Sequence, residues 1–530
     1  MELRPYQEEA VQAIFGEWDK GRKKTLLVLP TGTGKTICFA KVIEEEVRQG
    51  KRTLMLAHRG ELLQQAADKI EKVTGIKSAV EKAEQTSLES WYFSVVGSVQ
   101  TLMRESRLKQ FEPDYFDTII VDEAHHSLAD SYQVILDHFE EANVLGVTAT
   151  PDRGDRQNLG KYFDSIAYDY SLPHAIKDGY LVPIKALTIP LELDLTGVGS
   201  QAGDYKVGEL GTALDPYLEQ IADEMVEICQ DRHTLVFLPL IATSQKFTQI
   251  LNDKGLSARE VNGESEDRAE ILEAFNKKEF KVLCNSMLLT EGWDCPPVDC
   301  IVVLRPTKIR SLYAQMVGRG TRLNDRKEEL LLLDFLWHTE THELCHPAHL
   351  VTDSPEVAAR MTEIIADSNE AIDLNTTEEE AAQSVLEERE EALAKKLESM
   401  RRRKRRLVDP LQFEFSIMEE DLTGYQPAFG WEMQPPSACQ CETLEKFGVN
   451  PEGVESAGKA SLIIDKLMKR AATGLATPKQ IRQLEQRGFR HVGQWTKDQA
   501  AKLIGQIAAN SWRTPYSINP ATYRPSGGAE

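Results

Sequence analysis

Two stretches of this 530-residue chain alternate short, fully apolar segments with helical patterns. Apolar strands alternating with helices are typical of parallel sheets covered by helices on both faces, because such strands are buried on both sides. The predicted strands are 25–29, 52–57, 91–96, 118–121 and 144–147 in the first stretch, and 234–238, 281–284, 300–304 and 330–334 in the second. The sequence therefore predicts an α/β fold with two tandem parallel-sheet domains, at residues 1–190 and 215–345.

The composition changes after residue 350. Residues 363–391 contain eleven acids and one base, and residues 395–406 contain eight bases and one acid. Thr377 followed by Glu380 is typical of a helix start, and acids lead while bases trail, as the helix dipole favours. We expect one long exposed helix within a charged linker at 350–410. Its basic run, 401–406, is compatible with phosphate contact, a nuclear signal or a solvated helix end.

A small basic helical module is predicted at residues 440–515, which makes the C-terminal region mostly helical. Thr477 and Pro478 favour one helix start, and a second helix is expected at about 497–510 with Thr496 as its cap. Residues 459–530 carry a net charge of about +8, although the whole chain carries -22. This reversal favours docking of nucleic acid on the module, with a solubilising cap as the alternative.

Several classes of protein are disfavoured by simple counts. There is no run of about 18 apolar residues and no apolar signal core at the start, so we expect no membrane association and a cytoplasmic location. The eight cysteines are scattered, which favours reduced thiols over a disulfide framework.

Four histidines have spacings that suit metal ligands on a helix, but Pro347 interrupts that helix and a hydrated linker is favoured. They are His338, His342, His346 and His349.

The segment from Leu29 to Thr36 reads Leu-Pro-Thr-Gly-Thr-Gly-Lys-Thr and joins a predicted strand to a predicted helix. Its backbone N–H groups and the helix N-terminus suit the binding of phosphates. Lys35 can reach the β and γ phosphates of ATP, and Thr36 can hold Mg²⁺. The residues expected to bind the nucleotide here are Thr31, Gly32, Thr33, Gly34, Lys35 and Thr36. Leu29 replaces the first glycine of the full P-loop pattern.

Two carboxylates follow the predicted strand 118–121, in the order Asp122-Glu-Ala-His125. They lie at the carboxyl end of the strand, which is where parallel sheets bind ligands. Asp122 suits the Mg²⁺ shell, and Glu123 suits the polarisation of an attacking water. A surface loop is the alternative, but the pairing with Lys35 favours a second half of one ATP site.

Cations for the developing charge of phosphoryl transfer are predicted in the second domain. The segment Gln315-Met-Val-Gly-Arg-Gly-Thr-Arg322 places Arg319 and Arg322 three residues apart, which on a helix puts them on one face. They would reach across the cleft as arginine fingers, with Gln315 beside them. Hydrolysis would then depend on closure of the two domains.

With these motifs in order, residues 3–335 resemble a superfamily 2 helicase of the DEAH type. The chain is similar to the group that shares the type III restriction motor domain and to phage and bacterial DNA translocases such as UvsW. The resemblance implies two RecA-like domains, with ATP and Mg²⁺ as cofactors. It also implies roles for further residues. These are Gln7 on the adenine edge, Arg59, Gln100, Thr101 and Ser286 on the nucleic acid, Gly292 and Asp294 on the nucleotide, and His125, Thr148 and Thr150 in coupling hydrolysis to strand binding.

The segment 286–294 departs from the DEAD-box version of the family. Glu291 and Trp293 flank Gly292 where an Arg-Gly pair is common, which weakens the expectation of RNA-style contacts. Only twenty residues separate Asp294 from Gln315, too few for a large strand-splitting hairpin.

The predicted function is that of an ATP-dependent DNA helicase or translocase that moves on, or remodels, single-stranded, duplex or branched DNA. An RNA helicase, and an ATP-gated nucleic-acid clamp without processive movement, stay open as alternatives. The expected partner proteins are those of replication, recombination or restriction, in a prokaryotic or phage-infected cell.

Overall fold

A computed structural model describes most of the chain. The described residues are 3–57, 60–83, 85–88, 90–124, 127, 129–149, 159–191, 198–201, 204–286, 289, 293, 295–337, 344–368, 370–400, 407–418, 422, 425, 427 and 431–525, with the backbone alone at 60–62, 190–191, 201, 336–337 and 389–400. The chain divides into two compact units, Met1–Ala381 and Ala382–Glu530. The first unit contains two lobes, each built on a sheet of seven strands.

The sheet of the first lobe is entirely parallel. Its strands are β1 (Lys24–Val28), β2 (Thr53–Ala57), β3 (Ser78–Glu81), β4 (Ser94–Ser98), β5 (Thr118–Asp122), β6 (Asn143–Thr148) and β7 (Ser165–Asp169). They pair in the order β3-β4-β2-β5-β6-β1-β7. The helices are α1 (Pro5–Asp19), α2 (Lys35–Arg48), α3 (Gly60–Thr74), α4 (Val99–Leu102), α5 (Glu105–Leu108), α6 (Asp130–His138) and α7 (Leu172–Lys177). All carboxyl ends of the strands therefore meet at one edge.

The second lobe repeats this plan with one antiparallel edge strand. In chain order the strands are β8 (Ile184–Leu191), β9 (Ser200–Gln201), β10 (Asp204–Tyr205), β11 (Thr234–Leu238), β12 (Ala258–Val261), β13 (Val282–Ser286), β14 (Cys300–Val303), β15 (Leu330–Trp337) and β16 (Ile372–Asp373). The sheet order is β12-β13-β11-β14-β15-β8-β16, and β9 pairs with β10 apart from it. The helices are α8 (Val207–Leu214), α9 (Leu218–Ile228), α10 (Ile241–Asp253), α11 (Arg268–Asn276), α12 (Arg310–Val317) and α13 (Pro355–Ala366).

Nearly all predicted strands are present, with local differences. The strand predicted at 91–96 begins at Ser94, because Trp91 is 95% exposed and cannot belong to a buried strand. Strand β8 lies in the second sheet, paired with β15, and β16 adds an edge strand beside it. The predicted boundaries at 190 and 345–350 therefore divide segments that share one sheet.

The charged helix begins earlier than its sequence suggests. It is α14 (Leu374–Met400), and its first turn is capped by Asp373, whose carboxylate accepts a hydrogen bond from the backbone N–H of Thr376 at 3.0 Å. The expected cap, Thr377, lies inside the helix and donates its hydroxyl to the carbonyl of Asp373. Thr377 is therefore wrong as a cap, because an aspartate four residues earlier satisfies the free N–H groups. The basic run 401–406 lies outside the described residues.

The second unit is helical around one apolar core. Besides the later part of α14, its helices are α15 (Pro410–Ile417), α16 (Ala438–Phe447), α17 (Ala457–Thr473), α18 (Pro478–Glu485) and α19 (Lys497–Ala509). The predicted caps Thr477 and Thr496 are confirmed, since each hydroxyl accepts from the N–H three residues later. Both caps are part of a capping box completed by a glutamine.

Three further features concern the cysteines, the clustering of metal-ligand side chains and the apolar character of the helices. All eight cysteines are free. In the described part of the chain, no group of three or more His, Cys, Asp or Glu side chains is arranged to hold a metal ion. His338 and His342 lie outside that part. Of the described helices, none has both the length and the apolar character needed to cross a membrane.

Gly493 is a glycine of the second unit that packs directly against backbone atoms. Its N–H donates to the Ser416 hydroxyl at 2.8 Å, and its carbonyl accepts a hydrogen bond from the buried Arg470 guanidinium. A methyl group added at Gly493 would lie 2.3 Å from the Ser416 carbonyl oxygen and 2.8 Å from the Ile417 nitrogen. Both are backbone atoms, so no side-chain rotation relieves the overlap.

Gly493→Ala is expected to destabilise the second unit by about 2 kcal/mol or more, the scale of an overpacked core. Gly505→Ala is the matched control, because that glycine lies inside α19 with nothing near the added methyl group, and alanine should stabilise the helix by about 1 kcal/mol. Thermal unfolding of the full chain, combined with limited proteolysis of residues 382–530, measures both. Equal melting of the two variants would contradict the packing described.

Candidate functional site

The loop between β1 and α2, residues 29–34, which we call the phosphate loop, forms a cradle for an anion. Gly32 and Gly34 have φ angles of 92° and 87°, a left-handed conformation that only glycine adopts without strain. A methyl group at Gly34 would also lie 2.7 Å from the Gln7 side-chain nitrogen. The loop ends where α2 begins at Lys35. Its backbone N–H groups and the positive end of the α2 dipole suit a phosphate group.

Helix α1 holds this loop from below. The Tyr6 hydroxyl and the Gln7 side-chain nitrogen both donate to the Thr33 carbonyl, at 2.5 and 3.0 Å. The Gln7 oxygen accepts from the Arg4 backbone N–H at 3.0 Å, and Gln7 is buried. The Tyr6 ring stacks on Tyr170, with ring centroids 4.6 Å apart. In this structure, Gln7 thus anchors the phosphate loop, and its expected bond to an adenine edge stays a prediction.

Two carboxylates lie beside the loop at the end of β5. Glu123 has a φ of 53°, an unusual value for a residue with a side chain, and its N–H donates to the Asp122 carboxylate at 3.0 Å. The Lys35 ammonium nitrogen lies 3.9 Å from a carboxylate oxygen of Glu123. Burial and the neighbouring Glu123 charge raise the pKa of Asp122 to about 6, while Lys35 opposes this rise.

The oxygen atoms at this edge of the sheet are suited to bind a divalent cation. The Asp122 and Glu123 carboxylates repel each other strongly because they are shielded from solvent. The single charge of Lys35 compensates only part of that repulsion. Carboxylate and hydroxyl oxygens are the ligands that Mg²⁺ takes in phosphate sites. Asp122 and the Thr36 hydroxyl, at the start of α2, are therefore the residues that would hold it.

The second lobe closes directly on the loop. A methyl group at Gly318 would lie 2.6 Å from the Thr31 β-carbon, and one at Gly32 would lie 3.3 Å from the γ-carbon of Arg322. The Val182 N–H donates to the Thr321 carbonyl at 2.8 Å. The first-lobe loop and the turn after α12 are therefore in van der Waals contact.

The two predicted arginine fingers lie in this turn and not on a helix. Helix α12, which carries the buried Gln315, ends at Val317, so the expectation that Arg319 and Arg322 share one helical face is wrong. The helix ends because the chain turns at Gly318 to pack against the first lobe. Arg319 is buried and donates to the Trp293 carbonyl at 2.7 Å. Arg322 is the arginine whose stem contacts the phosphate loop.

A buried lysine, missed from sequence, supports the same turn. The Lys327 ammonium donates to the carbonyls of Pro296, Val298 and Gly320, each at 2.9 Å. Burial lowers its pKa to about 8, opposed first by the Asp299 carboxylate. Lys327 therefore joins the segment after Asp294 to the residue that follows Arg319. No local pattern marks such a lysine, because its three acceptors are backbone atoms distant in sequence.

Lys69 on α3 was also missed. Partial desolvation of the ammonium lowers the pKa of Lys69, the Asp122 carboxylate acts in the opposite sense, and Arg322 and Arg319 add to the lowering. The Lys69 charge therefore interacts with Asp122 of the first lobe and with Arg319 and Arg322 of the second. Lys69 is exposed on α3, and a lysine at such a position carries no local pattern that marks its charge as part of a site.

The nucleic-acid candidates lie at carboxyl ends of strands in both lobes. Gln100, on α4 after β4, is exposed, whereas Thr101 is buried and its hydroxyl accepts from the Ala83 N–H at 3.0 Å. Ser286 ends β13, and its buried hydroxyl has no hydrogen-bond partner in the described part of the chain. Thr148 ends β6, and its carbonyl accepts from the Leu29 N–H at 3.1 Å, which ties the predicted coupling segment to the phosphate loop.

Five predicted site residues lie outside the described residues. They are Arg59, His125, Thr150, Gly292 and Asp294. Their roles stay predictions.

Comparison with known proteins places these lobes in a family. Residues 1–153 match the family "Type III restriction enzyme, res subunit", and residues 217–324 match "Helicase conserved C-terminal domain". The chain belongs to the superfamily 2 helicases of this group. Its two parallel-dominated sheets are RecA-like.

Three proteins are similar to this helicase over about two thirds of its length. A putative ATP-dependent helicase, IRC3 of Saccharomyces cerevisiae, is 33% identical over 376 residues, which are 67% of this chain and 54% of that protein. The DNA 3'-5' translocase XPB2 of Sulfurisphaera tokodaii is 24% identical over 63% of this chain and 81% of its own. A fragment of a putative HsdR subunit of a type I restriction enzyme from Vibrio vulnificus has a TM-score of 0.51 at 27% identity, covering 63% and 64%. The chain spans about half the length of the IRC3 helicase.

Gly318→Ala is expected to weaken nucleotide binding to this helicase by about tenfold, because the added methyl group overlaps Thr31 and separates the turn from the phosphate loop. The dissociation constant of a fluorescent ATP analogue measures the change. Gly16→Ala in α1 is the control, since its methyl group meets nothing within 4 Å. Equal affinity in the two variants would show that the lobe contact is dispensable.

Lys327→Met is expected to lower the maximal rate of ATP hydrolysis by about tenfold, roughly 1.4 kcal/mol, because the turn bearing Arg319 loses its buried cation and three carbonyls lose their donor. The KM for ATP should change less, since the phosphate loop belongs to the other lobe. Lys327→Arg retains charge and donors and should recover part of the rate. A fall in both variants that merely follows their melting temperatures would argue for a purely structural role.

Proposed function

We propose that this helicase hydrolyses ATP between its two lobes and couples the closure of the cleft to movement along, or remodelling of, DNA. The observation that carries the proposal is the contact between the phosphate loop of the first lobe and the arginine-bearing turn of the second. Lys35 and the two carboxylates lie on the first lobe, and the turn with Arg319 and Arg322 packs against the same phosphate loop from the second. Opening the lobes would separate the two halves, so turnover would depend on closure.

The proposed roles follow from the chemistry of each group. Lys35 contacts the β and γ phosphates, and Thr36 and Asp122 hold Mg²⁺, which supplies positive charge to the phosphate oxygens when bound. Glu123 orients and polarises the attacking water. Its 3.9 Å separation from Lys35 leaves that carboxylate near the phosphate cradle.

Arg319 and Arg322 have different proposed tasks. Arg322, in contact with the phosphate loop, offers charge to the transferring phosphoryl group. Arg319, bonded to the Trp293 carbonyl, links the ATP site to the segment that follows Ser286. Gln315, buried on α12, lies on the helix that leads into this turn. A change at the nucleotide would thus be transmitted to the strand-binding edge of the second lobe.

DNA is the proposed track. Sequence-independent contacts to phosphates suit a motor, and Gln100 and the buried Ser286 hydroxyl are candidate donors for them at the sheet edges. The similar XPB2 protein carries the name of a DNA translocase, and the first lobe matches a restriction-enzyme family. RNA in place of DNA, and clamping without movement, are the outcomes that the following experiment separates.

Single-stranded DNA, duplex DNA or both are expected to stimulate ATP hydrolysis more than RNA does. Glu123→Gln should abolish hydrolysis while ATP still binds, because it removes the charge that polarises water and retains the shape. Lys35→Ala should lose binding as well. Lys20→Ala, an exposed lysine paired with Glu17 on the same lobe, is the control.

Steady-state ATPase with a nucleic-acid panel, and displacement of a triplex strand, give the readouts. Hydrolysis indifferent to every nucleic acid would refute the proposed function. Stimulation by RNA alone would replace DNA with RNA as the track. Tight ATP-dependent binding without triplex displacement would identify a clamp.

A further inference from the structure

The second unit carries an ordered chain segment, residues 511–525, which we call the aromatic strap. Helix α19 ends at Ala509, and the chain leaves it through two consecutive left-handed residues, Ser511 and Trp512, with φ of 54° and 63°. The Trp512 N–H donates to the Ile507 carbonyl at 2.9 Å, and the Asn510 side chain donates to the Arg513 carbonyl at 3.1 Å. These bonds hold the first turn of the strap.

The far end of the strap is anchored in the core. The Tyr523 ring meets Phe489 edge-on and lies tilted to Trp495, each with centroids 5.7 Å apart. Pro520 packs beside Gly488, and Ile518 packs against the same apolar core. The strap is therefore fixed at both ends.

Between these anchors, two aromatic side chains remain in water. Trp512 is 55% exposed, and Tyr516 is fully exposed. Tyr523 on the same strap packs against the core, so Trp512 and Tyr516 belong to a segment that is anchored to the second unit. The two rings are therefore available to stack on a flat ligand where cations lie beside them.

The charge around these rings identifies the ligand. The Arg487 guanidinium lies 5.8 Å from the centre of the Trp512 ring and is oriented by a hydrogen bond to the Gln483 carbonyl. Arg513 adjoins Trp512 in the strap. Residues 459–530 contain twelve lysines and arginines against four acids, in a chain of net charge -22. A ligand with flat rings and regular negative charge matches this surface.

We infer that Trp512 and Tyr516 stack on the bases of single-stranded nucleic acid, while Arg487 and Arg513 contact its phosphates. Stacking on aromatic side chains beside cations is the general mode of strand binding without sequence preference. A protein partner would also use tryptophan and arginine, but the basic surplus favours the polyanion. The inference rests on the proposed function and gives that function a second, separate contact with its track.

The test measures the affinity of the full-length chain for a fluorescent 20-nucleotide oligo(dT), by anisotropy and without ATP. Trp512→Ala combined with Tyr516→Ala is expected to weaken binding by at least about tenfold, and Trp512→Phe should retain most of the affinity because it keeps a stacking ring. Trp431→Ala is the matched control. That ring is 51% exposed in the same unit but is followed by Glu432, so its removal should leave affinity unchanged.

Salt dependence separates stacking from charge. The double aromatic variant should keep the wild-type slope of log affinity against log salt, whereas Arg487→Ala with Arg513→Ala should reduce that slope by about 0.7 for each phosphate that is no longer neutralised. A duplex of equal length should bind the aromatic variant and the wild type equally, because paired bases offer no free faces. Parallel weakening on oligo(dT) and oligo(U) supports the inference, since both strands have bases to stack.

Unchanged oligo(dT) affinity in the double aromatic variant, or equal weakening on duplex, would overturn the inference and leave a protein partner as the interpretation of the strap. ATPase without nucleic acid should be the same in wild type and variant. If the wild type itself neither binds nor responds to any nucleic acid, the proposed function fails instead, so the two failures are distinguishable.

Discussion

The arrangement of the ATP site depends on the phosphate loop, which packs against helix α1 of its own lobe and against the second lobe. Its Thr33 carbonyl is held by two donors from α1, and its Thr31 side chain lies against Gly318 of the second lobe without room for a methyl group. Interiors packed this closely transmit displacements because there is no free space to absorb them. A small separation of the lobes therefore changes the surroundings of the phosphate cradle at once. This is the physical basis on which the proposed coupling rests.

The second lobe has its own connected support for that contact. Arg319 is bonded to the Trp293 carbonyl, and Lys327 bonds the carbonyls of Pro296, Val298 and Gly320. The turn that faces the phosphate loop is thereby tied to the segment leading from Ser286. Burying a lysine costs solvation energy, and three acceptors with good geometry offset much of that cost. Such a cluster keeps a turn in one arrangement, which a site completed from two lobes requires.

Features that depend on a contiguous sequence motif could be predicted, whereas features that depend on contacts between distant residues could not. The phosphate loop and the pair Asp122 and Glu123 are contiguous patterns, and the structure places them together. Buried parallel strands were found for the same reason, although the segment around Trp91 was interpreted as strand from apolarity alone. The sheet to which β8 belongs was not predictable, because its partner β15 lies 146 residues further along the chain.

The remaining differences also arise from tertiary contacts. A three-residue spacing suggested a helical face for Arg319 and Arg322, but the helix stops where Gly318 packs on the other lobe. Lys69 and Lys327 carry no pattern at all, since what distinguishes them is proximity to distant carboxylates and carbonyls. In the second unit, caps and charge were predictable, while the display of Trp512 depends on the anchoring of Tyr523.

The central claim is that the second lobe completes the ATP site. Hydrolysis of ATP with saturating DNA, measured beside ATP affinity in wild type and Arg322→Ala, tests it most directly. The account predicts that ATP still binds within a few-fold of the wild-type affinity while the DNA-stimulated rate falls by about 10³-fold or more, the scale of a lost arginine finger. A stimulated rate equal to that of the wild type would contradict it.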